Sequence, residues 1–228
     1  MKMKSEEILK KLKSMSDTKT VEGMAKFGIN PNNTLGISIP TLREMAKEIG
    51  KNHNIALELW DSGIHEARLL ACFIDDPAAV TEEQMENWIK DFDSWDVCDQ
   101  CCSNLLDKTQ FAYQKVFELT KRKEEFVKRT GFVLMACLAV HDKESKDEKF
   151  LRFLPIIKRE SKDERNFVRK AVNWALRQIG KRNKNLNKEA IKTAKEILKI
   201  DSKAAKWIAS DALRELTSQS VQKRLKPR

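Results

Sequence analysis

Apolar residues recur at helical spacing almost from one end of the chain to the other. The pattern predicts helices over 5–16, 18–27, 40–50, 53–62, 64–75, 81–92, 94–107, 109–121, 123–141, 145–159, 163–181, 187–199 and 202–217. Capping-box signatures mark three starts: Thr81 with Gln84, Ser145 with Glu148, and Ser161 with Glu164. Pro40 suits a first helical position. One long irregular stretch interrupts the series, Gly28 to Ile39, with the sequence GINPNNTLGISI.

Short helices joined by short loops predict stacked helical hairpins. Small residues at Cys72, Cys101, Cys137, Ala175 and Ala209 mark the centres of inner helices. Their spacing is about 30–38 residues, the range of helical-pair solenoids. The expected architecture is all-α, a solenoid with a concave face able to cradle a duplex. An irregular helical bundle is the competing arrangement, because no consensus repeat is visible.

Composition narrows the class. Seven glycines and five prolines are too few for a turn-rich β fold. No apolar run approaches the roughly 18 residues of a membrane span. The N-terminal MKMKSEEILKKLKSMS lacks the apolar core of a signal peptide, so a cytoplasmic location is expected. Cys72, Cys98, Cys101, Cys102 and Cys137 are an odd number, which argues for free thiols. Cys98 and Cys101 form a C-x-x-C pair inside a helical pattern, but no second pair or nearby histidine completes a zinc site, so buried structural thiols are expected and no metal.

Charge points to a partner. The net charge of +10 is unevenly spread. Residues 1–120 carry 14 Lys/Arg against 20 Asp/Glu, a net of −6; residues 121–228 carry 30 against 14, a net of +16. A segment this basic attracts a polyanion, nucleic acid above all.

The tryptophans then separate into two groups. Trp60 and Trp88 share faces with apolar neighbours and read as core. Trp174 does not: its helical-spacing neighbours are Lys170, Arg177, Gln178 and Lys181, opposite the apolar face of its helix. Such a ring among cations suits a nucleic-acid surface, unless a partner helix buries it. Trp207 is a weaker version. In SWDVCDQCCSNLL, Val97, Cys101 and Leu105 form the buried face, and Trp95 and Asp99 share another roughly 130° away. Either they are a peripheral aromatic and an ordinary acid, or a carboxylate in an aromatic-walled site. Lys128 and Arg129 stand at the start of a third, nearly all-apolar helix, as solvated charges or as phosphate ligands.

Together these segments resemble the AlkD-type DNA glycosylase family, the HEAT-like-repeat DNA alkylation repair enzymes. The matching residues are Trp95-Asp96-x-x-Asp99, Arg129-Thr130, and Lys170-Ala171-Val172-x-Trp174-Ala175-Leu176-Arg177, with GISIPTLREMAKEIG near the N-terminus. The resemblance spans roughly residues 36–215. It implies a right-handed superhelical array of HEAT-like pairs, one DNA-binding domain over 1–228 with a short basic C-terminal tail at about 219–228. It implies a monomer that excises N3- and N7-alkylated purines from double-stranded DNA without metal or nucleotide cofactor.

Mapped by motif, Asp99 is the expected catalytic carboxylate, Trp95 and Trp174 the aromatic walls, and Arg129 the supporting cation. Charge and helix position add Lys128, Arg169, Lys170, Arg177, Lys181 and Arg182 as expected phosphate contacts. Cationic alkylpurines already leave easily, so the enzyme's task is to stabilise positive charge growing on the sugar, which a carboxylate and electron-rich rings can do. The chain departs from the family pattern at Cys98, Cys101 and Cys102, at Gly131 after the Arg-Thr pair, and in the RQIGKRN run. A non-catalytic binder of damaged or branched DNA, and a helical scaffold for RNA or an acidic protein, are the alternatives.

Overall fold

The computed structural model describes residues 4–225, and these are helical with no strand. The chain divides into two compact units, one up to Phe111 and one from Ala112.

The first unit holds α1 (Ser5–Ser14), α2 (Thr18–Lys26), α3 (Ile39–Ile49), α4 (His53–Asp61), α5 (His65–Ile74), α6 (Glu82–Lys90) and α7 (Trp95–Asn104), closed by a 3₁₀ turn at Leu106–Lys108. Helix α5 is its centre, packed against α3, α4 and α7. Eight of its ten residues are buried, including His65 and Glu66, as expected of a helix surrounded by others. Trp60 and Trp88 stack at 4.0 Å within this core, as their apolar neighbours predict.

The second unit holds α8 (Ala112–Leu119), α9 (Glu125–His141), α10 (Asp147–Leu151), α11 (Leu154–Glu160), α12 (Asn166–Gly180), α13 (Lys184–Leu198), α14 (Lys203–Leu216) and α15 (Gln219–Gln222). Here α12 is central, packed against α9, α13 and α14. The expected centres of the inner helices, Cys72, Cys101, Cys137, Ala175 and Ala209, are all buried. They fall on α5, α7, α9, α12 and α14, each preceded by an outer partner.

Several details differ from the sequence pattern, each for a local reason. The helix expected over 145–159 is two helices. Pro155 has no amide hydrogen to donate to the Leu151 carbonyl, so the ladder breaks and α11 begins afresh. Thr81 caps α6 by accepting the Gln84 amide, but Ser145 and Ser161 cap nothing. The Ser145 hydroxyl donates to Asp142, and that of Ser161 donates to the Lys158 carbonyl. The start of α12 is displaced to Asn166 because Asp163 accepts from both the amide and the guanidinium of Arg165, forming its own turn. The expected tail is in part packed structure: α15 lies within it, and Val221 and Leu225 are buried. Residues 226–228 of that tail lie outside the described residues.

Gly131, a departure from the family pattern, has a packing role. A Cβ there would lie 2.7 Å from Thr120 Cγ2 and 2.9 Å from the Thr120 backbone nitrogen. Helix α9 therefore crosses the end of α8 at a distance only glycine permits. Gly131→Ala is expected to lower unfolding free energy by about 1–3 kcal/mol despite alanine's better helix propensity, because backbone must move. Urea denaturation measures this; an unchanged midpoint would show that the helices separate at little cost.

Candidate functional site

The irregular loop between α2 and α3 is organised by one carboxylate. Glu66 is fully buried and accepts the amides of Leu35 at 2.8 Å, Gly36 at 2.6 Å and Ile37 at 3.2 Å. Three amide donors satisfy a charge that would otherwise be costly to bury. Gly36 takes a positive φ of 82°, and a Cβ on it would meet the Asp17 carbonyl at 2.5 Å. Only glycine allows the loop to turn against the start of α2.

From this anchor the loop reaches α7. The Asn30 amide donates to Ser94 Oγ at 2.9 Å, and its side chain donates to Asp93 at 2.7 Å. The Trp95 indole N–H donates to the Phe27 carbonyl at 3.1 Å, fixing the edge of that half-buried ring. Next to Glu66, buried His65 pairs through Nε2 with Asp96 at 2.9 Å. Asp96 also accepts the Val97 amide, so the first acid of the W-D-x-x-D motif holds the start of α7. Asp99, one helical turn after Trp95 and half-buried, is the motif's second acid. His65 escapes a reading of the sequence, because a histidine among apolar residues has no motif.

Arg129 and Trp174 belong to the second unit. Arg129 is buried, and its Nη1 donates to the Phe167 carbonyl at 2.5 Å, tying α9 to α12. Trp174 is half-buried on α12. Its expected cationic surroundings are altered by α14. Arg177 and Lys181 both pair with Glu215, at 2.5 and 2.6 Å. Lys128 pairs with Glu160 at 2.7 Å and Asp163 at 3.4 Å. Arg182 donates to the Ala139 and Ser145 carbonyls and lies over the Phe150 ring. These four cations have intramolecular partners that helical spacing within one helix could not reveal. Lys170 is exposed, and the Arg169 guanidinium sits 4.7 Å over the ring of Trp207, itself 39% exposed.

A basic feature that the sequence reading missed lies on α13. Lys184, Lys188, Lys192, Lys195 and Lys199 follow one another at intervals of three or four residues and are all exposed. They therefore form a stripe along one helix face. None has a salt bridge among the described residues, and Glu196 beside them is taken by Lys158 at 2.7 Å. The stripe borders an open groove of about 850 Å³ that runs to Gln222 and Leu225. Charge counted by position along a single helix face would have found it.

The five cysteines are free and buried. Burial, together with the hydrogen bond to Cys72, pushes the Cys101 thiol well above its ordinary pKa. Among the described residues no cluster of His, Cys, Asp and Glu could hold a metal ion, and no helix is long and apolar enough to cross a membrane.

Paired inner and outer helices define a helical-repeat protein, here with a tryptophan–carboxylate turn and a strongly basic second unit. The chain belongs to the DNA alkylation repair enzyme family, whose model matches residues 8–216. No curated protein matches it. Among solved structures, one described as a new family of proteins related to the HEAT-like repeat DNA glycosylases, with affinity for branched DNA structures, superposes with a TM-score of 0.78. It is 20% identical over 99% of this chain and 98% of that one, and establishes the HEAT-like-repeat fold. A designed armadillo repeat protein in complex with the peptide (KR)4 is more distant: TM-score 0.39, 14% identity, 80% of this chain and 87% of that one.

The His65–Asp96 pair yields a pH prediction. Burial lowers the His65 pKa, but the Asp96 hydrogen bond and the charges of Asp96, Glu66 and Asp93 outweigh it, leaving a net rise above 6.5. A raised folded-state pKa adds stability that is complete below the unfolded value and is lost as pH rises through the folded value. Unfolding free energy should fall as pH rises from about 6 into the alkaline range. In His65→Gln that slope should be shallower; urea titrations at several pH values compare the two, and equal slopes would remove His65 as the source.

Proposed function

We propose that the protein is a DNA glycosylase that excises cationic N3- and N7-alkylated purines, 3-methyladenine and 7-methylguanine, from duplex DNA, acting as a monomer. The observation that carries this reading is the turn of α7 on which Trp95 and Asp99 stand four residues apart. Asp96 is engaged with His65 and the backbone, and the family motif assigns the reacting carboxylate to Asp99.

In this reading the C1′–N bond breaks with its electrons passing to the purine, which leaves neutral. Asp99 stabilises the positive charge developing on the deoxyribose and accepts a proton from the water that adds to C1′. Trp95 supplies a ring face to the same charge, and Trp174 offers an aromatic surface to DNA on the second unit. Arg129, held between α9 and α12 by the Phe167 carbonyl, is the supporting cation for the backbone phosphate. Arg169 and Lys170 contact phosphate directly, and Lys128, Arg177, Lys181 and Arg182 contribute through their charge while bracing the helices. The chemistry of these residues requires no metal or nucleotide cofactor.

A second reading is favoured by the branched-DNA affinity of the structural relative: binding without excision. Release of 7-methylguanine and 3-methyladenine from methylated duplex separates the two. The glycosylase reading expects release by the wild type and a loss of about 10²–10³-fold in Asp99→Asn. Binding with no release by either protein would establish the second reading instead.

The α13 stripe enters both readings as a phosphate-binding surface. Replacing Lys188 and Lys192 by Gln should weaken duplex binding whatever the sequence, and lower the slope of log affinity against log salt by about 2. An unchanged slope would remove the stripe from the interface.

A further inference from the structure

Phe27 is 76% exposed, the most exposed large apolar side chain among the described residues. Others in that class, such as Trp207 at 39% and Leu198 at 41%, are far less so. A phenylalanine left this open in water forgoes the burial that phenylalanine ordinarily obtains, so its setting matters.

That setting is rigid and adjoins the candidate site. Phe27 closes α2, its amide donating to the Met24 carbonyl at 3.0 Å. The next residue, Gly28, donates to Ala25, and Ile29 beyond it is buried. The carbonyl of Phe27 receives the Trp95 indole N–H. Beyond these, the loop is held by Asn30 on Ser94 and by the amides on Glu66. A ring is thus presented to solvent from a backbone that is fixed on both sides and bonded to one wall of the site.

Apolar wedges with this property are what DNA-bending proteins insert at base steps, partly unstacking them. A base face is also the DNA surface that a bare aromatic ring complements, since Phe has no group to meet a phosphate. We infer that Phe27 is a nucleobase-stacking wedge that enters the duplex beside the nucleotide engaged by Trp95 and Asp99. The inference rests on the DNA-binding reading and assigns a base-contacting residue that the α7 motif does not contain.

The side chain can be removed cleanly. It is exposed, and its hydrogen bonds are made by backbone atoms, so Phe27→Ala leaves the Trp95 contact in place. The test uses duplexes carrying 2-aminopurine at successive positions, with binding followed by anisotropy and unstacking by 2-aminopurine fluorescence. At saturating protein the wild type should raise fluorescence at one step. Phe27→Ala should bind about fivefold or more weakly and lose the fluorescence gain, and Phe27→Trp should restore both. Equal gains in wild type and Phe27→Ala, or wild-type binding with no gain at any position, would overturn the wedge while leaving DNA binding intact. Failure of the wild type to bind any duplex would overturn the DNA-binding reading and the wedge with it.

Discussion

The first unit depends on the burial of one negative charge. Glu66 sits at the start of the central helix with no exposure to water, and its carboxylate is tolerable there only because three consecutive loop amides converge on it. The converse also holds: the loop between α2 and α3 has no ladder of its own, and those amides would be unsatisfied without the acid. Each side's polar groups determine the other's position. The loop in turn carries the carbonyl that fixes Trp95 and the amide that meets Ser94. The orientation of an indole on α7 is therefore set by a carboxylate on α5.

A comparable division of roles runs through the acids and bases elsewhere. Asp96, the first acid of the α7 motif, is bound to a buried histidine and to backbone. In the second unit the acids of α14 draw Arg177 and Lys181 inward, while the lysines of α13 have no such partners among the described residues. Net charge alone does not distinguish a cation that braces two helices from one that faces solvent. The carboxylate on the neighbouring helix does.

This explains what could be read from the sequence. Helical periodicity located the helices to within a few residues, because apolar stripes are a property of each helix by itself. The small-residue centres from Cys72 to Ala209 identified the inner helices for the same reason. Where the pattern failed, a non-local contact or a single bond decided the outcome. Pro155 split one helix by lacking a hydrogen, and Ser145 and Ser161 found other partners than the helix starts they were expected to cap. The Trp95–Asp99 turn was visible because both residues lie in one motif. His65 and Glu66 were not, because their partners lie about thirty residues away in sequence. The α13 stripe was visible in principle, but its importance appears only once the competing cations are seen to be engaged.

The buried cysteines have a chemical consequence for a protein of this family. Small electrophiles that alkylate purines also alkylate sulfur, and they do so through the thiolate. All five thiols here are shielded from solvent, and burial with the Cys72 contact keeps Cys101 protonated. A chain of the alkylation repair family thus presents no solvent-exposed thiol to such reagents.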